Sequence, residues 1–203
     1  MNAYIKSMKI IRKKYDANFT AGGLLYRDFS ALSSILNEDD FIEKILEERE
    51  QNKLLGIPTE SARKRVISEL KRRYEIVDSS FWDWYLNVSE NEHKLALFYI
   101  CLKTYPIVFD LHLEVALKKY RTGDDLDAYA VQMKIDELSI TNIEVGSWSK
   151  STLDKINSQY RSTLKDCGLL EGNILTGPSN ISESFFEYFD SIGESWFKEM
   201  CFK

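Results

Sequence analysis

Residues 59–77 read TESARKRVISELKRRYEIV. The stretch predicts a helix. Thr59 is placed to accept a bond from a backbone N–H of the first turn, and Pro58 discourages an earlier start. Ala62, Val66, Leu70 and Tyr74 recur every four residues, with Ile67 and Val77 beside them, which is one apolar stripe at the helical period. At about 100° per residue, Lys64, Arg65, Ser68, Lys71 and Arg72 fall on the opposite arc. Six cations (Arg63, Lys64, Arg65, Lys71, Arg72, Arg73) stand against Glu60, Glu69 and Glu75, on a protein whose net charge is −5. A positive helix on a negative protein points to an anionic partner.

The same helical period recurs on both sides of this stretch. Leu24, Leu25, Phe29, Leu32, Ile35 and Leu36 predict one helix, and Phe41, Ile42, Ile45 and Leu46 the next, with a glycine cap at Gly56. Gly22-Gly23 lacks the Gly-Lys-Ser/Thr ending of a phosphate loop and reads as a turn that starts a helix. Phe81, Trp82, Trp84, Tyr85 and Leu86 have no basic residues interleaved and read as core rather than as a base-stacking platform. Ser89 with Glu92 forms a capping box before a nearly all-apolar helix, Leu95 to Leu102. Pro106 interrupts, a helix resumes over 107–120, and Gly123 stops it. Asp124, Asp125 and Asp127 read as capping and dipole compensation at the start of another helix. Ile143 to Trp148 reads as a loop or an extended turn. The acidic end, 171–203, is too aromatic for a disordered tail and predicts one or two short helices.

Ser149 to Cys167 repeats the logic of the first basic helix. Leu153, Ile156, Tyr160, Leu164 and Cys167 make its apolar face, while Lys150, Lys155, Arg161 and Lys165 lie elsewhere on its surface. Gly168 ends it. Each basic helix follows another helix closely, which is the layout of a helix-turn-helix reader, although a charged solvated face gives the same pattern. The expected fold class is therefore all-α, a multi-helix protein with two helix-turn-helix-like units. The expected division is residues 1–88, with the first unit, and residues 89–203, with the second unit and the acidic aromatic tail.

Charge is distributed unevenly. Residues 1–77 hold 15 cations and 12 anions, residues 78–145 hold 6 and 12, and residues 146–203 hold 6 and 8. A protein this acidic does not coat nucleic acid indiscriminately, but a focused basic face remains open to it. Met1 to Tyr15 is basic, with Lys6, Lys9, Arg12, Lys13 and Lys14, and reads as a solvated terminus or as an arm that touches phosphate. Its weak apolar stripe also allows docking. Three cysteines far apart and two histidines build no evident zinc site or disulfide framework. No metal, cofactor or catalytic residue is expected, because no nucleophile, base and orienting group can be assembled. The best apolar run is broken by Lys103, Pro106 and Asp110, short of the ~20 residues a membrane span needs, so a soluble, cytoplasmic protein without membrane contact is expected.

The chain resembles the BrxA family of bacteriophage exclusion (BREX) defence systems. The residues that carry the resemblance are Phe19-Thr20-Ala21-Gly22-Gly23-Leu24-Leu25, then Asn52 and Leu54-Leu55, then Ser61, Lys64-Arg65-Val66 and Glu69-Leu70-Lys71-Arg72-Arg73. The aromatic central helices ending near Tyr105-Pro106 belong with them, as does Trp148-Ser149…Thr152…Lys155…Gly168-Leu169-Leu170. The resemblance spans roughly residues 15–172 and rests on order and spacing. It implies an all-α fold and a non-enzymatic protein that binds double-stranded DNA within a multi-subunit defence system.

The candidate nucleic-acid contacts are Lys64, Arg65, Ser68, Lys71, Arg72 and Arg73 on the first basic helix, with Lys150, Lys155, Arg161 and Lys165 on the second. Ser61, Ser68 and Asn157 are the few polar groups placed to read bases. Expected partners are double-stranded DNA and other BREX subunits, with the isolated protein a monomer. Two rival readings use the same cations: a scaffold that meets an acidic protein subunit, and an RNA-binding helical domain.

Overall fold

A computed structural model describes residues 14–203. The basic arm before Lys14 lies outside the described residues. The chain folds as two units. One is Ala21–Thr104. The other is Tyr105–Lys203 together with the described residues 14–20, so the boundary expected at Val88 falls inside the first of them.

The unit Ala21–Thr104 contains α1 (Tyr26–Ala31), α2 (Phe41–Gln51), α3 (Glu60–Tyr74), α4 (Ser79–Tyr85) and α5 (Glu90–Thr104). Helix α5 is buried along most of its length, from Leu95 to Leu102. Its sequence has no polar face, so it can only be covered on every side. Around it gathers an aromatic cluster. Trp82 has no exposed surface and stacks on Phe29 at 5.1 Å and on Tyr74 at 5.2 Å. Its indole N–H donates to the Tyr74 carbonyl at 3.3 Å. Removing a ring this enclosed costs about 3–5 kcal/mol. Phe81 lies 6.0 Å from Tyr99 of α5. The core reading of the aromatic stretch therefore holds.

Several local expectations change in this unit. Helix α1 ends at Ala31 rather than running to Leu36, and the chain continues through turns whose N–H groups bond three residues back. Gly56 is not the cap of α2. The helix stops at Gln51, with Asn52 in the left-handed region at φ 48°. The buried carboxylate of Glu48 takes over the capping. It accepts the backbone N–H groups of Lys53, Leu54 and Leu55 at 2.9–3.1 Å. Asn52 bonds both backbone groups of Ile57, and Arg63 donates to the Ile57 carbonyl at 2.8 Å and to the Arg49 carbonyl at 3.0 Å. The link between α2 and α3 is thus held at both ends by side chains. Thr59 precedes α3 but makes no side-chain cap bond. Glu92 does reach back to Ser89, accepting from its N–H at 2.8 Å and from its hydroxyl at 2.7 Å.

The unit containing Tyr105–Lys203 begins with a continuous helical stretch: α6 (Pro106–Leu111), a π turn at His112–Ala116, and α7 (Leu117–Thr122). Helices α8 (Ala128–Thr141), α9 (Ile143–Gly146) and α10 (Lys150–Asp166) follow, each opened by a side-chain cap. Asp127 accepts from the Ala130 N–H at 2.7 Å, Asn142 from the Val145 N–H at 3.0 Å, and Ser149 from the Thr152 N–H at 3.2 Å. The capping role assigned to Asp127 is therefore seen directly, and within the stretch expected to be a loop or an extended turn Ile143–Gly146 forms one helical turn. After α10 comes a small antiparallel hairpin, β1 (Leu170–Glu171) and β2 (Ile174–Leu175), that the periodicity did not signal. Gly172, at φ 60°, supplies the turn conformation that other residues resist.

The aromatic tail packs as α11 (Glu183–Ser191) and α12 (Trp196–Met200). Phe185, Phe189, Trp196 and Phe197 are buried there. The chain is all-α apart from the hairpin. Among the described residues no single helix is long and apolar enough to cross a membrane.

Candidate nucleic-acid interface

The two basic helices hold their cations differently. On α3 the buried arc carries Ile67, Glu69, Leu70 and Arg73, while Ser61, Lys64, Arg65 and Ser68 are exposed and Lys71 and Arg72 half-buried. This matches the arc that the spacing predicts. Much of its charge is already engaged. Lys64 pairs with Glu60 one turn earlier, and the ammonium holds the Glu60 carboxyl below its usual range. Lys71 lies 3.6 Å from Glu75. Arg72 donates to the Thr104 carbonyl at 3.2 Å and stands 3.8 Å from Glu69. Exposed pairs four residues apart are weak because water screens them, so a phosphate can displace Glu60 or Glu75 at small cost. Arg72 is more firmly placed.

Arg73 needs correction. Counted among the phosphate contacts, it has no exposed surface. It sits three residues after Leu70 and seven after Val66, which is the buried arc, so the same wheel that selected Lys64 and Lys71 excludes it. Its charge acts inside the unit. Burial raises the pKa of Asp28 and of the Cys101 thiol, and the Arg73 guanidinium pulls both back down.

On α10 the buried face is Ile156, Asn157, Tyr160, Thr163 and Leu164. Lys150, Lys155 and Lys165 are exposed, and among the described residues none of the three forms an ion pair. Arg161 is half-buried and donates to the Asn173 side chain, in the hairpin turn, at 2.7 Å. Lys150, Arg161 and Lys165 project within an arc of about 60°, spread over about 22 Å of helix, with Lys155 further round. Asp154 lies on the same arc, so the face is net positive but not uniformly so. Ser151, Ser158 and Ser162 are exposed between the cations.

The helix is fixed from two sides. Asn157, placed by sequence among the base readers, is buried instead. Its amide donates to the Ala128 carbonyl at 2.9 Å and to Gln132 at 3.0 Å, bolting α10 to α8. On the other side the hairpin turn takes the Arg161 bond, and the Asn173 carbonyl accepts the Leu126 N–H at 2.7 Å. The hairpin is the part of this site that the sequence reading missed. Its one signal is Gly172-Asn173 between Leu170-Glu171 and Ile174-Leu175, a two-residue turn pattern.

The residues that invited a metal or a nucleophile have structural partners. His93 contacts the Tyr85 carbonyl at 2.7 Å. His112 is fully buried between the Tyr160 hydroxyl and the Met200 carbonyl. Cys101, Cys167 and Cys201 are buried thiols.

A family model described as BrxA matches residues 13–190. No curated protein matches the chain. Among solved structures, the crystal structure of an uncharacterized protein from Magnetospirillum magneticum is similar, with a TM-score of 0.70 and 19% identity, over 93% of this chain and 98% of that one. At that identity the likeness is one of fold.

Proposed function

The chain belongs to the BrxA family, and from that premise we propose that it is a non-enzymatic, double-stranded DNA-contacting component of a BREX phage-defence system. Membership associates the protein with BREX defence; contact with DNA is our reading of its basic helices. The observation that carries this reading is α10. It presents Lys150, Lys155 and Lys165 outward without carboxylate partners, on an acidic protein, and it is buttressed by α8 behind and a hairpin beside it. A short helical turn, a long cationic helix and a two-stranded hairpin in that order are the parts of a winged helix-turn-helix reader, with α10 as the groove helix. Helix α3 acts as a second phosphate contact through Lys64, Arg65 and Lys71.

Phosphate contact dominates this proposal. The exposed uncharged polar groups on α10 are Ser151, Ser158 and Ser162, which hydrogen-bond any base edge, so sequence preference is weak. If four cations replace counterions, affinity falls with salt at a log–log slope of about −3.6. Cytoplasmic location and a monomeric state in isolation belong to the same proposal.

The test is a salt-titrated gel shift on duplex DNA, with the Lys150→Glu/Lys155→Glu/Lys165→Glu variant beside the native protein. The variant should keep its helicity and lose binding at least about a hundredfold, with a shallower salt slope. A folded variant with native affinity would refute the reading. Preference for RNA over duplex DNA in direct competition would refute it as well.

A further inference from the structure

Helix α8 is apolar on two sides. Val131, Ile135 and Leu138 are buried against the core. Tyr129, Met133 and Ile140 are 71%, 53% and 86% exposed, and Ile143 of α9 is 91% exposed. At about 100° per residue Tyr129, Met133, Asp136 and Ile140 fall within about 60° of one another and run about 16 Å along the helix. A surface helix ordinarily carries one apolar stripe. A second stripe turned to solvent, apolar but for Asp136, marks a surface that another molecule covers.

Charge selects the occupant. Residues 124–144 hold six carboxylates against Lys134, and Lys134 is itself 2.8 Å from Glu137. Asp136 sits within the ridge, accepting from the Gln132 amide at 2.8 Å. Beside α8 is an open depression of about 340 Å³ bordered by Asp110, Glu114 and Glu137. DNA would be repelled here. A second copy paired through a two-fold axis would set Asp136 and the flanking acids against their own images. A partner with cations around an apolar stripe meets both features, and a straight three-turn ridge is complemented by a helix laid along it.

We propose that the ridge Tyr129–Met133–Ile140–Ile143 is the docking surface for a cationic amphipathic helix of another protein chain, with a Lys or Arg of that helix facing Asp136. None of these residues is among the cations on which the DNA reading rests, so its failure leaves that reading standing.

The test uses the full-length protein and a fluorescent 18-residue Leu/Lys amphipathic peptide, with a Leu/Glu peptide of the same pattern as control, read by anisotropy at physiological salt. The Leu/Lys peptide should bind and the Leu/Glu peptide should not. Ile140→Asn/Ile143→Asn should weaken binding about tenfold or more through lost apolar contact, with helicity and gel-shift affinity for DNA unchanged. Asp136→Lys, a second variant that keeps the apolar ridge, should weaken it too. Equal binding to native protein and both variants overturns the proposal. A native dimer that Ile140→Asn/Ile143→Asn dissociates in sedimentation assigns the ridge to a second copy and also overturns it. So does a rise in peptide affinity on Lys6→Glu/Lys9→Glu/Lys13→Glu, which would make the protein's own basic arm the occupant.

Discussion

Acidification should destabilise the Tyr105–Lys203 unit through one residue, His112. Its imidazole has no exposed surface. Nε2 lies 2.7 Å from the Met200 carbonyl, so Nε2 carries the proton and donates. Nδ1 lies 2.9 Å from the Tyr160 hydroxyl and must therefore accept from it. The neutral ring satisfies both partners. A charged ring would present a second N–H to Tyr160, whose hydroxyl hydrogen would then need another acceptor. Burial brings the His112 pKa down to about 4, with the Met200 bond opposing the shift. In the unfolded chain the value is about 6.5. Between those two values the unfolded state binds a proton that the native state refuses, so stability falls as pH falls across this window. Above about 6.5 both states are neutral and the contribution is constant. The full difference is about 3 kcal/mol, at roughly 1.4 kcal/mol per pH unit. That is a large share of the 5–15 kcal/mol typical of a domain. The assay is urea unfolding followed by tryptophan fluorescence at pH 7.0, 5.5 and 4.5, on native protein and His112→Gln. Glutamine can donate and accept in place of the ring but does not titrate. The native protein should be the more stable at pH 7.0, and its advantage should shrink by about 2–3 kcal/mol by pH 4.5. Carboxylate protonation is common to both proteins and cancels. Parallel pH profiles for the two would refute the argument.

Other outcomes follow from the same packing. Arg73→Ala should cost about 3 kcal/mol in denaturant midpoint analysis, whereas Lys64→Ala, on the exposed arc of the same helix, should cost under about 0.5 kcal/mol. Glu48→Ala leaves three backbone N–H groups without their carboxylate and should cost about 2–3 kcal/mol, with faster proteolysis of the 52–58 link. Asn157→Ala should lower stability by about 2 kcal/mol yet leave the salt slope of DNA binding unchanged, since the residue bolts α10 to α8 and reads no base. The three thiols should resist thiol reagents in the native state and react together on unfolding.

Local patterns in the chain sufficed for the helical class, for α5 as a helix enclosed on all sides, and for which side of α3 and α10 faces water. These follow from side-chain period alone, because burial of an amphipathic helix is set by the angle between its apolar residues. The family resemblance lies at the same level, in the order and spacing of residues along the chain. Tertiary structure decided what those local patterns leave open. Arg73 and Asn157 lie on the apolar arcs that the period marks, and only the tertiary structure shows what they meet there, such as Gln132 of α8 beside Asn157. Asn52 rather than Gly56 ends α2 because Glu48 is folded over the link to receive three N–H groups. The hairpin beside α10 and the uncovered apolar ridge on α8 are likewise invisible to period: two-residue strands are too short to alternate, and a helix apolar on two sides does not say which side meets the core. Sequence spacing specifies the faces an element has, whereas the partners that each face meets depend on contacts between residues far apart in the chain.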